Sequence, residues 1–168
     1  MKKSLVALAV VAAVPAFAQA QTSIQLTGSV DVAVESLNKH ASSSGKSDLQ
    51  INDGIWGGSK VGIVGSEELG NGLKAIFNLE YEANADNGRL ADTDRFWAGQ
   101  SWVGLNGGFG TVKLGRQDSP IKGAIEAGDV TGQSWYYNSE DLAGIVDKVD
   151  NAISYATPSM GGLTLAVA

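Results

Sequence analysis

Few side chains in this sequence stand together in a way that could make or break a bond. His40 is the only histidine, and it lies among Asn38, Lys39 and Ser42. A serine–histidine hydrolase needs its imidazole oriented by a third group in a formed site; this polar neighbourhood reads instead as an exposed loop with a solvated histidine. Glu67-Glu68 has the composition of a carboxylate pair for acid–base work, but neighbours on a turn point apart, so it reads as a charged turn. Asp86-Asn87-Gly88 and Asp92-Thr93-Asp94 carry hard oxygen donors of the kind calcium takes. No glutamate follows at the EF-hand offset, and a solvated acidic loop is the simpler reading. Gly107-Gly108-Phe109-Gly110 could cradle a phosphate only if a helix followed; it falls between two apolar segments and reads as a hairpin turn. There is no cysteine, which excludes zinc–thiolate sites and cysteine nucleophiles. The residues give no catalytic set, no metal site and no cofactor site.

The stronger signal lies in the elements that would carry such side chains. Over residues 24–35, Ile24, Leu26, Val30, Val32 and Val34 share one face, and Gln25, Thr27, Ser29, Asp31 and Glu35 the other. That is a period of two, the pattern of a strand with one greasy and one wet side. A polar stretch, 38–50, leads to a second segment with Ile55, Gly57, Ser59, Val61 and Ile63 on one face and Lys60 on the other. A tight link, 66–72, contains the turn dipeptide Asn71-Gly72. The third segment is the clearest: Leu73, Ala75, Phe77, Leu79 and Tyr81 oppose Lys74, Asn78, Glu80 and Glu82. After a polar link at 83–95 come a fourth strand, 97–105, a short turn, and a fifth, 111–115. The longest link, 117–150, precedes a sixth strand at 151–156; a short turn then leads to a seventh that begins at Leu163.

The links therefore run long, short, long, short, long, short. Outer-membrane barrels have this asymmetry, with short turns at one end and longer loops at the other. Soluble sandwiches have no reason to keep it. Aromatic residues near the expected strand ends (Tyr81, Phe96, Trp97, Trp102, Phe109) suit interfacial girdles. A secreted or surface β-sandwich with an adhesin-like binding role is the alternative architecture, and a membrane-spanning channel the preferred one.

Residues 1–20 read as an export signal: Lys2 and Lys3, an apolar run from Leu5 to Val14, Pro15, then Ala18-Gln19-Ala20 at the cleavage site. Ala16-Phe17-Ala18 offers a second site. The run is far short of the ~20 residues of a spanning helix. With Lys2 and Lys3 gone, ten basic residues remain against 18 acidic, a net charge of −8 that speaks against nucleic-acid binding. No later stretch is apolar enough for a spanning helix, so any membrane crossing is by strands.

With that frame, several stretches resemble the Gram-negative general porins, the β-proteobacterial type most closely. Residues 59–80, from Ser59-Lys60-Val61-Gly62 through Asn71-Gly72 to Asn78-Leu79-Glu80, are similar to that family's second and third strands. Trp102-Val103-Gly104-Leu105 followed by Phe109-Gly110-Thr111-Val112-Lys113-Leu114-Gly115-Arg116-Gln117 resembles the fourth and fifth, and Asp150-Asn151-Ala152-Ile153-Ser154-Tyr155 the sixth. The resemblance covers residues 21–168.

It implies an all-β fold, a transmembrane antiparallel β-barrel of 16 strands in the family, of which this sequence holds about the first six to seven. We therefore expect 21–168 to be the N-terminal fragment of a porin barrel domain. It also implies a homotrimer in the bacterial outer membrane, in contact with lipid and passing ions and small hydrophilic solutes by diffusion. A long third loop would fold into the pore as a constriction. Glu126 and Asp129 lie in the matching link, and Lys60 and Lys148 stand where the family usually has arginines on the facing wall. Taken alone, these four are ordinary polar wall residues; the resemblance makes them constriction candidates. One departure is Gly99, where relatives usually carry another arginine, which thins the basic cluster.

Overall fold

The computed structural model describes residues 22–37, 48–130 and 144–168. Ten strands and one short helix follow in order: β1 (Ser23–Ser29), β2 (Val32–Leu37), β3 (Asp48–Asp53), β4 (Ser59–Gly70), β5 (Leu73–Asn84), β6 (Arg89–Leu90), β7 (Ser101–Gly107), β8 (Gly110–Asp118), α1 (Pro120–Glu126), β9 (Lys148–Ala156) and β10 (Ala166–Val167). The main sheet runs β1-β4-β5-β7-β8-β9-β10 with every neighbour antiparallel, and β6 pairs with β5. β2 and β3 form a separate hairpin. The sheet is open, with β1 and β10 at its edges. Among the described residues no helix is long and apolar enough to cross a membrane, which leaves crossing by strands untouched.

Register carries the alternation across the sheet, because residues paired in an antiparallel ladder share a face. Lys60 pairs with Glu82, Gly62 with Glu80, Val64 with Asn78 and Glu68 with Lys74; Asn78 pairs with Trp102 and Gly104 with Lys113. All lie on one polar face. The opposite face pairs Leu26 with Ile63, Ile63 with Leu79, Phe77 with Val103, Val103 with Leu114 and Leu114 with Ile153. Among the described residues nothing covers this apolar face: Leu26 is 78% exposed and Ile153 66%, and Ala98 is the one buried hydrophobic residue among them. A sandwich would bury that face against a second sheet. The absence of a packed apolar layer, over strands this regular, is the signature of a sheet whose apolar side meets lipid.

Long links leave one end of the sheet and short ones the other. Asn71 and Gly72 both adopt positive φ, 52° and 76°, which gives the β4–β5 hairpin the turn whose twist matches its strands. Residues 108–109 join β7 to β8. The long β8–β9 link opens with α1, where the Ser119 hydroxyl accepts from the Lys122 N–H at 3.2 Å and Pro120 occupies the first turn.

Four expectations need correction. The first segment is two strands, not one, because Asp31 turns the chain away. Its carboxylate accepts from the N–H groups of Trp56 (2.6 Å) and Gly58 (3.4 Å), and its own N–H donates to Ser59 Oγ (2.9 Å). The polar stretch 38–50 ends in a strand, β3, while residues 55–58 form the turn before β4. The fourth strand begins at Ser101 and not at Trp97, since 97–100 is held by irregular bonds: Gly99 N–H to Glu80 O (3.1 Å) and Arg116 Nε to Ala98 O (2.8 Å). Trp102, expected in an aromatic girdle, stands on the polar face by register, with Lys113 Nζ 4.4 Å from its ring centroid.

Candidate pore constriction

At the end of the sheet where the long links emerge, the polar face and α1 enclose a basin of about 980 Å³. Strand ends supply its wall: Lys60 from the start of β4, Glu80 and Glu82 from β5, Asp118 from the end of β8 and Lys148 from the start of β9. Helix α1 contributes Lys122 and Glu126, and Asp147 just precedes β9. The lining holds eight carboxylates and three lysines.

Lys122 is the hub. Its Nζ lies 3.6 Å from Asp118 Oδ1 and 3.5 Å from Glu126 Oε1, and it contacts Asp147 Oδ1 more closely still. Glu126 is four residues further along α1, so helical geometry brings it near; Asp118 is the last residue of β8, just ahead of the Ser119 cap. Asp147 comes from beyond the long link and ties the helix to the sheet. It also meets Lys148 Nζ at 2.8 Å, and Lys148 reaches Glu82 Oε1 at 3.4 Å. One connected set of charges therefore runs from β5 through β9 to α1. The side chains of Lys122 and Lys148 are only 12% and 13% exposed. Burial alone would raise the Asp147 pKa, but hydrogen bonds from Lys122 and Lys148 and their charges outweigh it, and the carboxyl titrates below its ordinary value.

A second set braces the rim. Arg116 Nη1 bonds Asp150 Oδ1 at 2.6 Å, Asp150 Oδ2 takes Arg95 Nη2 at 3.2 Å, and Arg95 Nη1 bonds Asp92 Oδ2 at 2.8 Å. Asp92 Oδ1 also accepts from the Asp94 N–H at 2.8 Å. The Asp92 carboxylate, one of those weighed as a calcium donor, thus serves its own loop. Asp53 Oδ1 accepts from Ser59 Oγ at 2.5 Å and Ala85 N–H at 2.8 Å, fixing the β5–β7 link to the start of β4. Glu68 pairs with Lys74 at 2.6 Å near the opposite end of the sheet.

Of the four candidate constriction residues, the structure brings Lys60, Glu126 and Lys148 to the same basin. Asp129 follows α1, its N–H bonded to Glu126 O at 3.1 Å, and does not line the basin. Lys122 and Asp147 escaped the sequence reading. The spacing of Asp118, Lys122 and Glu126 behind Ser119-Pro120 was the available signal for the first; Asp147 had none, because only the fold returns it to α1. His40 lies outside the described residues.

Comparison with known proteins fits this geometry. A family model described as Gram-negative porin matches residues 7–168. The major outer membrane protein P.IB of Neisseria gonorrhoeae is 36% identical over 175 residues, covering 98% of this chain and 47% of that protein. Outer membrane porin protein 32 of Delftia acidovorans is 39% identical over 171 residues, covering 96% of this chain and 47% of that protein. Among solved structures, an anion-selective porin from Comamonas acidovorans superposes with a TM-score of 0.70 at 30% identity, over 87% of this chain and 46% of its own. The chain spans about half the length of the curated relatives it matches.

Proposed function

Because this chain belongs to the Gram-negative porin family, we propose that it forms part of the wall of a passive outer-membrane channel for ions and small hydrophilic solutes. The observation that carries this reading is the pairing of an uncovered apolar face with a polar face that holds a charged basin. Between paired strands no backbone group is left for lipid to solvate, and the polar face is left to water. The barrel would close with further strands of the same kind. The subunit works as a homotrimer, and residues 1–20 are its export signal.

In this reading α1, anchored by Lys122, narrows the lumen, and Lys60, Glu126 and Lys148 contribute to the charge at the constriction. Asp129 takes part only if the link beyond α1 turns back toward the pore. Transport needs no bond to be made or broken; size and wall charge select. The binding-sandwich alternative would need a partner layer for the apolar face, and none is found among the described residues.

Planar-bilayer recording tests the proposal. A porin carrying residues 22–168 as the first part of its barrel should give stable, ohmic steps in KCl, and proteoliposomes containing it should swell in small sugars. Protein that inserts but conducts nothing, or that binds solute without passing it, would overturn it.

A further inference from the structure

Within the basin, the lysines do not share their charge evenly. Lys122 is surrounded by Asp118, Glu126 and Asp147, and Lys148 lies between Glu82 and Asp147. Their positive charges are already matched by resident carboxylates. Lys60 has no ion pair among the described residues, and its register partner is Glu82. Glu80 is the carboxylate without a side-chain partner on this stretch of wall; among the described residues it makes no ion pair and no side-chain hydrogen bond.

Its flanks explain why. On one side its ladder partner is Gly62. On the other lies the buried Gly99, whose N–H bonds Glu80 O at 3.1 Å, while Glu80 N–H bonds Gln100 O at 2.7 Å. A Cβ at Gly99 would stand 2.5 Å from Glu80 Oε1 and 2.8 Å from its Cγ. The glutamate side chain therefore lies across the bare backbone of Gly99. Neither Gly62 nor Gly99 carries a side chain, and Lys60, the lysine diagonal to Glu80 by register, makes no ion pair with it. A permeating ion can meet this carboxylate without displacing a resident partner, whereas Lys122 and Lys148 offer anions charges already engaged.

Resting on the channel reading above, we propose that the wall built by this chain favours cations over anions, and that Glu80, lying between Gly62 and Gly99, is the residue that sets this preference. That is the opposite sense to the selectivity named for the Comamonas acidovorans structure. The basin's eight carboxylates against three lysines supply the same sign at longer range.

The test is the zero-current potential of the reconstituted porin under a KCl gradient. The unmodified channel should favour potassium, Glu80→Asp should keep that preference, and Glu80→Gln should lower the potassium-to-chloride permeability ratio by about sevenfold, because one unit charge acting through ~7 Å of water helps potassium and hinders chloride by about e-fold each. A second variant separates charge from folding. The chain has no native cysteine, so Glu80→Cys can be read before and after modification in the same membrane. A sulfonate-bearing methanethiosulfonate should restore cation preference, and a trimethylammonium-bearing one should move the ratio toward chloride. Equal ratios after the two reagents, or an unmodified channel that favours chloride, would overturn the inference. Absence of any current would instead remove the channel reading on which it rests.

Discussion

Replacing Lys122 with methionine should loosen α1 while leaving the sheet intact. The seven-residue helix is too short to persist alone and contains no buried residue. Its side-chain tie to the wall is the contact of Lys122 with Asp147, supported by Asp118, beside the backbone bond from Ser119 N–H to Asp147 O at 2.9 Å. At an effective dielectric of ~20 and ~3.5 Å, each such contact is worth about 5 kcal/mol before desolvation. The lysine is 12% exposed and its partners 33–44%, so water offsets most of that. A net loss of about 2–3 kcal/mol is the reasonable figure for removing one partner from a partly buried network. At ~1.4 kcal/mol per factor of ten, the released helix becomes roughly 30- to 150-fold more populated. Hydrogen exchange followed by mass spectrometry, with the porin in micelles, reads this directly. Exchange at 123–128, where Ala127 N–H bonds Gly123 O and Gly128 N–H bonds Ile125 O, should accelerate by that factor, and the β4–β5 ladder should not change. Unaltered protection of α1, or equal loss in the sheet, would refute the reasoning.

Three further outcomes follow from the same geometry. Because the Asp147 pKa is lowered in the folded state, its contribution is complete above the ordinary carboxylate value and is lost as pH falls through the lowered one; α1 protection should be flat from pH 7 to 5 and fall only below ~pH 4, and loosening near pH 6 would contradict this. Gly72→Val meets no side chain but keeps a φ of +76°, so thermal unfolding in detergent should show a loss of about 1–2 kcal/mol from backbone strain alone; an unchanged melting temperature would count against the turn. Leu79→Arg should destabilise the membrane-inserted protein by about 2–4 kcal/mol near mid-bilayer while Asn78→Arg costs much less, as measured by urea titration in vesicles, and a reversed order would exchange the two faces.

How far these features could be read from sequence depended on whether the cause was local. β5 was plain, because Leu73 to Glu82 alternates without interruption and a two-residue turn precedes it. The break between β1 and β2 was invisible, since apolar residues keep phase through Val30 and Val32 while the chain turns on a carboxylate that caps a distant backbone. β3 was hidden because half of it lies in a stretch dominated by polar residues. Trp102 misled because aromatic type near a strand end was weighed above parity: Val103 and Leu105 set the apolar face, which leaves Trp102 on the other. The basin itself was half visible. Lys60, Glu126 and Lys148 were reached through resemblance, whereas the Lys122–Asp147 contact joins residues across a 25-residue separation that no spacing rule encodes.

The most direct test of the central claim, a sheet with one face to water and the other to lipid, is cysteine scanning along β5. Single cysteines at 73–82 in the reconstituted porin would be challenged with a membrane-impermeant thiol reagent and with a lipid-soluble one. Positions 74, 76, 78, 80 and 82 should react with the first, and positions 73, 75, 77, 79 and 81 only with the second. Labelling of Phe77→Cys and Leu79→Cys by the impermeant reagent, or reactivity without a period of two, would contradict the account.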